Sequence, residues 1–257
     1  MTEVNFLKKK KLKNAVMFSG LPGIGLVGKI TVDYLLKQFK AEKIAEITSD
    51  SFPPSIHTKN SMIELIKDEF YYYKFKGKDF VFLAGPVQPA LDASIASAKE
   101  HYEFAEKIVL AAKAIGVKEI YTLAGINVGE KRMNSEPKVI VAATDEKILA
   151  GFRKLKAVEG HEEGLISGAA GLIIGLAAKH GIKGACLMGE TNARLIYGDN
   201  GSAKKILELL SLKFGFAVNM NQIDKESKEI EKAFQQLSKQ LEEQQEDMPE
   251  KELSYVR

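Results

Sequence analysis

From Asn14 onward, short unbroken apolar runs alternate with longer segments in which apolar residues return every three or four positions. An unbroken run suits a strand buried on both faces, and the 3.6-residue return suits a helix with one buried side. "NAVMFS" (14–19) therefore predicts a strand, and the stretch reaching Phe39, with Val27, Ile30, Tyr34 and Leu35 on one side, predicts a helix. "EKIAEIT" predicts a strand, "SMIELI" and "EFYYYKF" a hairpin joined by the intervening polar residues, and "DFVFLAG" a further strand. A long helix is expected between Asp92 as N-cap and Gly116 as stop. "VKEIYTLAG" and "PKVIVAAT" follow as strands, then a Gly-rich helix, the strand "IKGACLMG" and a helix over about 202–214. This alternation predicts an α/β fold, a mostly parallel sheet flanked by helices.

The pattern changes after residue 217. Ile223, Ile230 and Leu237 recur every seven residues, and Ser227, Phe234 and Leu241 occupy the complementary heptad position, with lysine and glutamate between them. A helix packed back on its own domain would show a broader apolar stripe, so the narrow seam favours an amphipathic helix that pairs with other chains as a coiled coil. Two units are expected: an α/β domain over 1–217, and a heptad helix with a polar tail over 218–257. Pro249 interrupts that tail.

Charge sharpens the division. The segment 219–257 holds 6 basic and 10 acidic residues, leaving the body at +7 against an overall +3. The body's excess lies in Lys8, Lys9, Lys10, Lys11 and Lys13, which lack aromatic or arginine interleaving and predict a solvated lead-in, with no nucleic-acid partner. No apolar run reaches spanning length, and the first residues lack the order of a secretory signal, so a cytoplasmic chain without a membrane partner is expected. The lone Cys186, in "GACLMG", suits a buried strand position. The four scattered histidines predict no metal site, and no cofactor is expected.

"SGLPGIGLVGKI" (19–30) holds both Gly-x-Gly-x-x-Gly and Gly-x-x-x-x-Gly-Lys. Either spacing can cradle phosphate. In the second, Ile30 stands where a magnesium-holding hydroxyl belongs; in the first, "GLP" separates the strand from Gly23. Gly20, Pro22, Gly23, Gly25 and Gly28 are instead expected to form a structural loop, with Gly28 letting helix and sheet approach closely. At the same sheet edge Asp92, Glu190 and Arg194 are candidate pocket residues. No nucleophile stands beside a base, so no catalytic residue is assigned. Gly168, Gly171 and Gly175 form a helical stripe, which predicts close packing on the sheet or on another subunit. The flanking Leu172, Ile173, Ile174 and Leu176 predict burial on both sides.

"GLPGIGLVGKI", "SFPPS", "GPVQP", "IYTLAG", "EEGLISGAAGLIIGLAAKHGIKGACLMGET" and "SAKKILELLSLKFGFAVNMNQI", in this order over about 16–223, resemble the archaeal proteasome assembly chaperone family. The resemblance implies a nucleoside-phosphorylase-like α/β fold, no enzymatic activity, a homo-oligomer, and binding to the α-subunit ring of the proteasome core particle as assembly chaperone or activator. It also implies a docking tail ending hydrophobic–Tyr–any residue. Here the chain ends Ser254, Tyr255, Val256, Arg257, with the tyrosine one place early; these last three are the candidate proteasome-binding residues. Members are often labelled ATP-grasp enzymes. The competing reading is therefore an ATP-dependent carboxylate–amine ligase using the loop from Gly23 to Lys29.

Overall fold

The computed structural model describes residues 1–89, 95–155, 157–159 and 163–228. The strands are β1 (Thr2–Phe6), β2 (Ala15–Gly20), β3 (Glu42–Ser49), β4 (Ile56–Lys59), β5 (Met62–Leu65), β6 (Asp68–Phe75), β7 (Lys78–Ala84), β8 (Val117–Asn127), β9 (Val139–Ala143), β10 (Val158–Glu159) and β11 (Lys183–Thr191). The helices are α1 (Val27–Gln38), α2 (Ile95–Ile115), α3 (Lys131–Asn134), α4 (Glu146–Arg153), α5 (Gly168–Lys179) and α6 (Asn200–Phe214). One nine-stranded sheet runs β1-β3-β6-β7-β2-β8-β11-β9-β10. Its centre, β7-β2-β8-β11, is parallel throughout, as expected from the alternation. On one flank β1, β3 and β6 pair antiparallel, and on the other β9 runs antiparallel to β11.

Every residue of β2 is buried, because helices cover both faces of the sheet. Val16 and Phe18 point towards α1, α4 and α6, and Met17 points towards α2 and α5. On the first face Phe18 meets Phe214 edge-on at 5.1 Å, and Phe80 meets Phe216 at 5.0 Å. Phe18 and Phe80, both fully buried, each contribute about 1.5–3 kcal/mol.

The expected hairpin between "SMIELI" and "EFYYYKF" does not form. β5 pairs with β4, a strand the pattern did not predict, across the two-residue turn Asn60–Ser61. β6 pairs with β7 across Lys76–Gly77. All four turn residues have positive φ, the two-residue geometry whose twist matches that of the flanking strands. Turn chemistry set the pairing where apolar alternation alone could not. The edge strand β1 and helix α4 were also missed. Lys8 and Lys10 pair with Glu42, holding its carboxyl down to about 2.

α5 buries Ala169, Ile173, Ile174 and Ala177 against α2 and the sheet, but Gly175 faces open space, so the glycine stripe is not a seam against the sheet. The expectation of burial on both sides fails because α5 is an outer-layer helix. Close approach is provided from below: a Cβ on Gly184 of β11 would lie 3.0 Å from the Ile174 side chain. No helix among the described residues is long and apolar enough to cross a membrane.

No change in packing marks residue 217. Tyr34 Oη donates to the Asn219 carbonyl at 2.6 Å, Gln38 pairs twice with the Asn219 backbone, and Lys204 meets Asp224 at 2.5 Å. Residues 221–228 are helical, and Ile223 is buried in the same core as Phe216 and Tyr34. Ser227 is also buried. For Ile223 the expectation of a free seam position is corrected: its apolar side chain is claimed by α1 and α6 of its own chain. Ile230, Phe234, Leu237 and Leu241 lie outside the described residues, as do Tyr255, Val256 and Arg257.

Candidate functional site

The carboxyl ends of β2, β8 and β11 open onto three loops and the first turn of α5, which together form the site. β2 ends at Gly20, and "LPG" carries the chain into a short 3₁₀ turn over Ile24–Leu26 before α1 begins. Gly25 has φ +60°, and an added Cβ would sit 2.4 Å from Thr191 Oγ1. At Gly28 a Cβ would lie 2.0 Å from the Leu123 carbonyl, so α1 starts pressed against the backbone of β8. A Cβ on Gly20 would strike the Gly28 carbonyl at 2.3 Å. At Gly20, Gly25 and Gly28 the lack of a side chain lets the loop pack directly on its neighbours.

Its phosphate-binding reading finds no support in the lysine. Lys29 Nζ is bound to Asp33 at 2.7 Å and to the Gly85 carbonyl at 3.3 Å. Ile30 packs on the core beneath the loop.

A buried polar network locks the loop from the other side. Asp199, the N-cap of α6, accepts the Ser202 N–H at 2.9 Å and donates its own N–H to the Gly25 carbonyl at 2.8 Å. Its carboxylate takes two guanidinium bonds from Arg132, both 2.8 Å, and the Thr191 hydroxyl at 2.9 Å. Asp199 is 1% exposed, so the pair is a buried, bidentate one. Arg132 was not anticipated from the sequence, and the expected helix over about 202–214 begins earlier, at Asn200. Asp199, four residues ahead of Ala203 where the helical apolar pattern starts, was the legible N-cap signal.

Glu190 is buried and bound to Lys131 Nζ at 2.7 Å and to the Lys138 N–H at 3.0 Å. Burial alone would raise its pKa, but these two partners prevail and hold the carboxyl below its ordinary value. Arg194 lies on the surface, paired with Glu130 at 2.9 Å. Neither lines the cleft at this edge, so the expected convergence of the two is corrected: each is engaged by a local partner. Asp92 lies outside the described residues.

The cleft itself, of about 240 Å³, opens between the glycine loop and α5. Pro22, Gly23 and Gly28 line it, with Leu123 and Met188 from the sheet. Gln88 ties its walls together, donating to the Pro22 carbonyl at 2.6 Å and accepting the Ala169 N–H at 3.1 Å. Cys186 is fully buried nearby on β11, and burial pushes its thiol up to about 11, which leaves it no thiolate at neutral pH.

Asp68, at the head of β6, was not anticipated. It is fully buried beside Gly85, and neither carboxyl oxygen meets a donor in good hydrogen-bond geometry. Burial raises its pKa well above the aspartate range, and the Val87 N–H and the Lys29 charge offset this only in part. Above about pH 3.8 the unfolded chain releases this proton while the folded chain keeps it, so stability falls as pH rises from that point towards the folded-state value. Asp68→Asn is expected to leave stability unchanged at pH 3.5 and raise it by about 1–2 kcal/mol at pH 8. Urea unfolding at the two values checks this.

The fold and site define an α/β protein whose sheet edge is closed by glycine packing and a buried ion pair, with a small apolar cleft beside them. The chain belongs to the PAC2 family, which it matches over residues 17–238. Its structure is similar to that of Pyrococcus furiosus PbaB, an archaeal proteasome activator, with a TM-score of 0.82 and 30% identity across 92% of this chain and 98% of that one. P. furiosus PbaA, an archaeal homolog of proteasome-assembly chaperone, shares the fold with a TM-score of 0.70 at 24% identity, over 95% of both chains. An uncharacterized protein of Methanocaldococcus jannaschii is 34% identical over 89% of this chain and 84% of its own.

Proposed function

We propose that this chain is a non-enzymatic proteasome assembly chaperone or activator, which forms a homo-oligomer in the cytoplasm and engages the α-subunit ring of the core particle through its C-terminal segment. The observation that carries this reading is the near-complete structural match to PbaB at 30% identity. The sequence adds the heptad positions Ile230, Phe234, Leu237 and Leu241, which follow directly on helical residues 221–228. A helix anchored on the body at Ile223 and continued by those positions would bring several acidic tails together. Weak tails presented together gain from effective concentration. Asp92, Glu190 and Arg194 have no part in this reading.

Purified full-length chain is expected to co-sediment with proteasome core particles, and a chain ending at Met248 to lose that binding while keeping its oligomeric mass in light scattering. Undiminished binding by the shortened chain would defeat the tail mechanism. A chain ending at Lys228, which keeps Ile223 in its core, is expected to scatter as a monomer.

A further inference from the structure

We propose that the cleft between the glycine loop and α5 is a binding site for a small monocarboxylate with a compact aliphatic body; this stands apart from the proteasome reading. The first observation is the side chain at its inner end. β2 sends Phe18 to the α1 face, so Met17 and Ser19 point to the α5 face, where the cleft lies. Ser19 is 3% exposed and lines the cleft, yet no hydrogen bond of the described residues uses its hydroxyl. That hydroxyl opens onto the cleft, where it can donate to a ligand oxygen.

The second observation is the charge of the walls. The first turn of α5 borders the cleft, and this twelve-residue helix begins with no acidic residue in its first turn and no side-chain cap from Ser167. The neutral Gln88 side-chain oxygen accepts from one of its N–H groups. Among the described residues no carboxylate lines the cleft to compensate the positive end of this helix dipole. No Lys, Arg, Asp or Glu of the described residues lines it, so one negative charge is matched and a phosphate dianion is not. The remaining surface is apolar, from Leu21, Ile24, Leu123, Ile126, Ile166 and Met188. A volume of about 240 Å³ lies just below the ~300 Å³ at which drug-sized sites begin, which limits the body to a short or branched chain.

4-Methylpentanoate and its neutral amide are the probes, titrated into the full-length protein by calorimetry and by amide NMR. The acid is expected to bind saturably and at least tenfold more tightly than the amide, shifting the amide resonances of Ser19, Leu123, Gly168, Ala169 and Ala170. Ser19→Ala is expected to weaken the acid about fivefold with its melting temperature unchanged, and Ala124→Leu, which fills the cleft, to abolish binding. Absence of saturable binding, equal affinity for acid and amide, or undiminished binding by Ala124→Leu would each overturn the proposal. Should Ala124→Leu not fold, the wild-type shift map decides alone, and shifts confined to other parts of the protein sink the idea.

Discussion

Asp199→Ala is expected to cost about 3–5 kcal/mol of unfolding free energy, a large share of the stability of an ordinary domain. The carboxylate is buried and holds four groups at once, two Arg132 nitrogens, the Thr191 hydroxyl and the Ser202 N–H, while the backbone N–H of the same residue tethers the Gly25 carbonyl. Removing the side chain takes the anion away from a buried guanidinium and uncaps α6 together. Asp199→Asn separates the two effects, since the amide still caps the helix but carries no charge; it is expected to recover only the capping share, about 1 kcal/mol. Urea denaturation of the three proteins measures both. A loss below 1 kcal/mol in Asp199→Ala would show that the network does not hold the edge.

Gly28→Ala is expected to lower stability by about 2–3 kcal/mol, and Gly23→Ala to change it by less than about 0.5 kcal/mol. The contrast follows from what each added methyl meets. At Gly28 it would stand 2.0 Å from a backbone carbonyl of β8, which cannot turn aside as a side chain could, so α1 must lift from the sheet. At Gly23 nothing lies within 4 Å. A phosphate-cradling loop would rank the two glycines by nearness to its ligand, whereas a packing loop ranks them by nearness to β8. Thermal melts of the two variants without any ligand distinguish these cases, and equal destabilisation would remove the packing account.

Much of this was legible in the chain. Strands such as "NAVMFS" and "IKGACLMG" are continuously apolar because helices cover both faces of the central sheet, and that pattern needs no tertiary information. Ile30, an apolar residue where a magnesium site needs a hydroxyl, already argued against nucleotide chemistry. The antiparallel flanks were less legible: "SMIELI" and "EFYYYKF" are both good strands, and which neighbour each takes depends on two-residue turns whose residues, Asn60–Ser61 and Lys76–Gly77, lack the strongest turn signature.

The candidate site divides in the same way. The sequence by itself determined the local events: where the sheet strands run, that the glycine loop must turn sharply between β2 and α1, and that a heptad pattern begins at Ile223. Only the tertiary structure decided partnership. It joined Arg132 to Asp199 across 67 residues, turned Glu190 and Arg194 to local partners instead of a shared pocket, and laid Ile223 against its own chain. The physical reason is that hydropathy and spacing report which face of an element seeks cover, whereas the identity of the covering group depends on distances that exist only once the sheet has closed.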